Sequence, residues 1–309
     1  MNNIKIMDLL KQKKILQDKL SSIVYGTIEI REEDSNKYIY VHEKVNGVSH
    51  TKYVGLYSQE LANVILNNSL EARMIKKNIK RVNKELEELG YNDILLTQKV
   101  KNNIDFAKKN LVATIYKQAI LEGVATTYAD TEDIIDGAII NNMKPQDIHK
   151  ISNLKQAWDF ILEENVIGSP TDYYLLCQIN KLILDGFYYN AGELRNTPVN
   201  IGGTVWKPDF PIESDIKEEI NAILNKQENN VDKAIDLLLY VTKKQMFIDG
   251  NKRASVIFAN HYLISKGLGI IVIPEEKVEQ YKELLIFYYE NKNIDKIKTF
   301  LKEECYIKI

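Results

Sequence analysis

The sequence predicts a mainly α-helical protein with one β-hairpin loop in its helical part, preceded by a small α+β module built on an antiparallel β-meander. Three observations carry that prediction. Only six prolines interrupt 309 residues, and long stretches repeat apolar positions with helical spacing. The segment 23–55 instead alternates β-branched or aromatic residues with polar ones. A single later break, "AGELRNTPVNIGGTVWKPDFP", gathers three glycines and three prolines.

Taken in order, an N-terminal helix precedes a meander at 23–55. "IVYGTIEI" and "KYIYVHEKVNGVSHTKYVG" then read as strands, with Asn46-Gly47 as a hairpin turn because both residue types tolerate positive φ. Helix resumes near Ser58, where Ile75, Ile79, Val82, Leu86 and Leu89 form one apolar stripe. Arg73, Lys76, Lys77, Lys80, Arg81 and Lys84 cover much of the remaining surface, either as a solvated face balanced by Glu85, Glu87 and Glu88 or as a contact for nucleic acid or an acidic partner. "ELGYNDI" at 88–94 marks a boundary between a module at 1–90 and a domain at 95–305. Helical patterns follow at about 96–123, 131–139, 151–164, 171–187, 213–225, 231–245, 251–266, 275–289 and 293–304. The Gly-Gly within "VNIGGTVW" turns the hairpin loop between the fourth and fifth of these.

Forty-one basic and 43 acidic side chains leave no global charge to draw the chain onto nucleic acid or an anionic membrane. Two distant cysteines, Cys177 and Cys305, support neither a disulfide framework nor a zinc site. The lysine-rich start "MNNIKIMDLLKQKK" has no signal-peptide core, and no apolar run is long enough to span a bilayer. The expectation is a cytoplasmic protein without membrane partners.

The most chemically loaded stretch is "YVTKKQMFIDGNKRASVIFANHYL", two helices joined by the polar corner "FIDGNKR". A helix beginning at Asn251 offers unpaired amides and the positive end of its dipole. Gly250 lets the backbone approach a ligand closely, and Lys252 and Arg253 add cationic donors, the arginine able to grip phosphate with two bonds. Asp249 beside them suits Mg²⁺, which takes one or two carboxylates together with phosphate oxygens. Asp249-Gly250-Asn251 is also a common way simply to start a helix.

Phe247, Asp249, Gly250, Asn251 and Arg253 resemble the signature of the Fic/Doc family. "AGELRNTPVNIGG" is similar to the family's segment leading into its target-docking flap, with Arg195 matching its arginine, and "AILEGVATT" to its inhibitory motif, with Glu122 and Gly123 matching. The resemblance implies a Fic-type helical core with a β-hairpin flap, and transfer of AMP from ATP to a hydroxyl of a target protein. It implies that Asp249 positions Mg²⁺, that Gly250, Asn251, Lys252 and Arg253 hold the nucleotide, that Val199, Asn200, Ile201, Gly202 and Gly203 of the flap align the target, and that Glu122 with Gly123 inhibits.

Departures accompany the match. Gln245 stands at the position of the family's histidine, and an amide cannot take a proton from an attacking hydroxyl; losing a general base costs about 10²–10⁴ in rate. Lys252 replaces the second glycine of the AMP-transferring signature, as in the Doc-like branch that moves the γ-phosphate. Val256 replaces the family's second arginine and Gln118 the serine or threonine before the inhibitory glutamate, so Glu122 is expected to lack its usual partner. His261 is the histidine nearest in sequence to the corner, too far along the helix to stand in for the missing one, and reads as a packed residue. The expectation is a nucleotide-binding protein with weak or lost transfer. The alternatives are an active transferase of AMP or phosphate, and a regulatory protein that acts through the first module on a protein or nucleic-acid partner.

Overall fold

Helix α1 (Asn2–Ser22) opens the chain. The computed structural model describes residues 2–33, 36–45, 48–91, 96–138, 140, 143–290 and 294–309, and the chain divides into two units, Met1–Asn92 and Asp93–Ile309.

In the first unit, β1 (Thr27–Glu33), β2 (Asn36–Val45) and β3 (Val48–Leu56) form an antiparallel sheet in that order. The register runs from Thr27↔His42 to Glu33↔Asn36 on one side and closes at Val45↔Val48 on the other. The expected turn residues Asn46 and Gly47 lie outside the described residues. Helix α2 (Gln59–Glu88) starts where Ser58 accepts a hydrogen bond from the Leu61 amide. Ala62 and Ile65 of α2 bury themselves with Ile39 and Val41 of the sheet. The alternation of strand residues thus sends one face into a core and leaves the other for polar side chains and tyrosines.

The second unit is helical: α3 (Gln98–Lys109), α4 (Leu111–Leu121), α5 (Tyr128–Ile135), α6 (Pro145–Ile161), the single turn α7 (Glu164–Ile167), α8 (Tyr173–Ile183), α9 (Glu213–Leu224), α10 (Asn230–Lys244), α11 (Asn251–Ser265), α12 (Val278–Tyr289) and α13 (Ile294–Phe300). The single helix expected at 96–123 is broken at Asn110, whose side chain donates to the Phe106 carbonyl and competes with the helical ladder. Helix α5 begins earlier than periodicity suggested, because Thr127 and Asp130 form a reciprocal capping box. The pattern expected at 293–304 ends in a π turn, Leu301–Cys305. Beyond it, β5 (Tyr306–Ile307) pairs antiparallel with β4 (Ile270–Ile271), two strands too short to leave a periodic signal.

Helix α11 is buried at thirteen of its fifteen positions and touches α3, α6, α7, α8, α10 and β4. A helix buried nearly all round sits at the centre of the bundle, and its polar residues must find partners there. Asn260 bonds the Val256 and Ile271 carbonyls and the Ile271 amide, pinning β4. His261, fully buried, lies 2.8 Å from the Val166 carbonyl and 2.9 Å from the Thr171 hydroxyl. No helix among the described residues is long and apolar enough to cross a membrane.

Candidate functional site

The corner between α10 and α11 is held by its own backbone and side chains. Gln245 ends α10 in the left-handed conformation, φ 48° and ψ 50°, and is the only non-glycine residue with positive φ among those described. Its carboxamide donates to the Thr242 carbonyl at 2.7 Å and accepts from Asn251 Nδ2 at 3.2 Å. Asn251 also accepts from the Phe247 amide and donates to the Phe247 carbonyl, so its side chain braces the 245–250 loop from within. The resemblance implies that Asn251 holds the nucleotide; in the structure both polar atoms of its side chain bond inside the corner.

Gly250 precedes α11 with φ 75°, and a Cβ there would sit 3.0 Å from Asn180 Nδ2. No side chain caps α11, so the amides of its first turn have no partner within the helix. Asn180, fully buried on α8, donates to the Asp249 carbonyl and accepts from the Gly192 amide, tying the corner to the loop that leads into the flap. Sequence reading missed Asn180. Its signal was a polar residue inside the apolar run "LLCQINKLIL", which marks a buried hydrogen-bonding role.

The charges converge on Arg253, whose side chain is 5% exposed. Its Nη2 donates to Asp249 Oδ2 at 3.0 Å, and its Nε lies 3.5 Å from Glu122 Oε2. Lys252 Nζ lies 3.6 Å from the other Glu122 oxygen. With Val256 buried and offering no charge, Glu122 turns instead to Arg253 and Lys252. Glu122 projects from the end of α4, where Gly123 takes φ 74°. Gln118, one turn earlier, donates to the Arg253 carbonyl and accepts from the Trp158 indole, fixing α4 against α11. Despite these ion pairs, Arg253 Nε and Glu122 Oε1 are buried without a hydrogen bond. Such unsatisfied atoms are rare in settled cores and suit a place that a ligand completes.

Asp249 is 47% exposed, with one carboxylate oxygen on the Gly250 amide and the other on Arg253. One open carboxylate beside a polyphosphate is a fitting donor set for Mg²⁺, which keeps several waters and needs few protein ligands. Among the described residues no group of three or more histidine, cysteine or acidic side chains could enclose a metal.

Arg195 is buried and anchors the flap. Its guanidinium donates to the carbonyls of Gln245 at 2.6 Å, Thr197 at 3.0 Å, and Pro208 and Asp209, and its amide donates to the Met246 carbonyl. One side chain thus holds both arms of the flap to the corner. Between the arms, Val199, Asn200 and Ile201 run irregularly to a turn at Gly202-Gly203, and residues 198–206 contain no paired strand. The turn lies where the glycines placed it, but the arms are stapled by side chains in place of a ladder. Thr204 donates to Glu290, and Trp206 stacks on Tyr289 with planes 3° apart. Val205, between these anchors, is exposed.

His261 contributes nothing to this corner. Burial depresses its pKa to about 4, leaving a neutral ring that links α11 to residues 166 and 171.

Comparison with known proteins places a family match on this part of the chain. The model of the Fic/DOC family matches residues 170–263, from α8 through most of α11. Among solved structures, Fic-1 (residues 134–508) from C. elegans superposes with a TM-score of 0.54 at 14% identity, covering 79% of this chain and 80% of that one. A Fic-domain-containing signalling protein from Bacteroides thetaiotaomicron gives 0.55 at 21% identity, covering 67% and 85%. At these identities the likeness is one of fold. A search of curated protein sequences gave no match.

Proposed function

Taking as premise that residues 170–263 are a Fic/DOC segment, a family whose domains in general transfer AMP or other nucleotide groups to proteins, we propose that the α10–α11 corner binds a magnesium-bound nucleotide and that Glu122 holds it closed. The observation that carries this reading is the buried Arg253, shared by Asp249 and Glu122 beside an uncapped helix start yet short of a full set of hydrogen bonds. A polyphosphate offers the oxygens that the first-turn amides and the guanidinium lack. To reach them it has to displace the Glu122 carboxylate from Arg253 and Lys252. Asp249 would hold Mg²⁺, which when bound neutralises phosphate charge. The flap, clasped by Arg195, lies beside the corner where a target segment could align along residues 199–203.

Gln245 explains itself in the same geometry. A neutral imidazole offers one N–H and one lone pair; glutamine supplies the same pair to Thr242 and Asn251. The corner therefore keeps its shape, but the proton acceptor is gone. We place transfer at about 10²–10⁴ below that of a histidine-bearing corner. The chain is expected to work chiefly as a nucleotide-binding protein.

The test is label transfer from ATP with Mg²⁺ by Glu122→Ala and by Glu122→Ala/Gln245→His. The double variant is expected to modify itself or a target at least ~100-fold faster than the single one. Label in the α-phosphate marks AMP transfer, and label in the γ-phosphate marks the Doc-like reaction that Lys252 suggests. Equal rates in the two variants would show that position 245 does not hold the base.

A further inference from the structure

The basic face of α2 has no part in the nucleotide corner, and it borders a feature of its own within the unit Met1–Asn92. Two cavities of about 430 and 370 Å³ flank one pair of residues, Tyr25 and Glu43, so that they form one open trough. His50 and Lys52 of β3 line one end, and Arg73 and Lys76 of α2 line the other. The Tyr25 hydroxyl donates to Glu43, and Lys76 Nζ lies 3.9 Å from the same carboxylate and 4.5 Å from the centre of the Tyr25 ring. The one acid that lines both cavities is thus already engaged. Lys52 and Arg73 form no ion pair among the described residues. Tyr25 is set firmly: Asn68 donates to the Val24 carbonyl, and the Ser69 hydroxyl accepts from the Gly26 amide.

We propose that this trough holds the phosphate backbone of a nucleic-acid strand. Three features favour a strand over a compact anion. The trough is open and continues across the Tyr25–Glu43 pair, where a small phosphate ligand would need one closed end. Lys80 stands one turn beyond Lys76 on α2, carrying positive charge about 6 Å further before Lys84, which pairs with Glu88. Lys52 and Arg73, which form no ion pair among the described residues, stand at the two ends of the trough and can take separate phosphates of one strand. An acidic protein partner is the less fitting occupant. Leu66, Leu70 and Met74, the exposed apolar residues that it would cover, lie on a neighbouring stripe of α2 outside the trough.

Fluorescence anisotropy with the full chain and an end-labelled single strand tests this, with a duplex, ATP, inorganic phosphate and an acidic peptide as competing probes. Binding is expected to weaken steeply from roughly 50 to 200 mM salt. Lys52→Ala, Arg73→Ala and Lys76→Ala should each weaken it several-fold and make the log–log salt slope shallower by roughly 0.7. Arg253→Ala should leave it unchanged, which separates this site from the nucleotide corner. Binding that survives all three trough substitutions, or that Arg253→Ala abolishes, overturns the proposal. So does binding of ATP or the acidic peptide in the trough with affinity equal to that of the strand, or no binding of any strand.

Discussion

Gln245 carries two constraints that can be separated by substitution. Its side chain bonds Thr242 and Asn251, and its backbone sits at φ 48°. Valine and glycine both delete the side-chain bonds, but valine's branched Cβ collides in the left-handed region while glycine is at ease there. Gln245→Val is therefore expected to be less stable than Gln245→Gly by about 2 kcal/mol in denaturant unfolding. Equal stabilities would mean that the left-handed turn is not held in the folded protein. At this scale sequence reading identified the corner residues by type but misjudged what some of them face. Asn251 spends its side chain on Phe247 within the corner, and nothing local says that Glu122 reaches Arg253. The Glu122 contact depends on where α4 packs against α11, which the Gln118–Arg253 and Gln118–Trp158 bonds fix.

The flap shows how one element is positioned by another. Arg195 satisfies carbonyls on both arms of the flap and at Gln245, a fork that a lysine ammonium cannot span. Arg195→Lys is expected to destabilise the chain by about 2–3 kcal/mol, since buried carbonyls lose charged donors. It should also speed amide exchange across residues 196–212. Unchanged exchange there would place the anchoring in the Trp206–Tyr289 stack and the Thr204–Glu290 bond. The turn was legible because Gly202-Gly203 announces it. The missing ladder was not, since alternation in "VNIGGTVW" reads as paired strands unless the side-chain staples are known. Helices α10 and α11 were legible almost to the residue, because amphipathic spacing, a lysine-rich end and Gly250 agree with one another. At the break near Asn110 a side chain competes with the ladder, and periodicity carries no sign of it.

Across the whole molecule, the centre of the helical unit is expected to lose stability in acid through His261. Its folded pKa of about 4 lies below the usual 6.5, so the unfolded chain binds the proton first. That contribution to stability is intact above about pH 6.5 and is lost progressively as the pH falls toward 4, for about 3 kcal/mol in all. Denaturant unfolding at pH 7.5, 5.5 and 4.5 should show this slope, and His261→Gln should flatten it. A slope that persists in the variant would move the effect to other groups. The fold class was readable in composition and periodicity. The short β4–β5 pair and the trough beneath the meander were not, because they arise only when distant segments meet. The central claim is that Arg253 and the amides opening α11 hold a polyphosphate that Glu122 keeps out. Isothermal titration of ATP with Mg²⁺ into wild type, Glu122→Ala and Glu122→Ala/Arg253→Ala tests it most directly. The account predicts binding at least ~10-fold tighter in Glu122→Ala than in wild type, lost again when Arg253 is removed. Equal affinity in all three, or no heat of binding in Glu122→Ala, would contradict it.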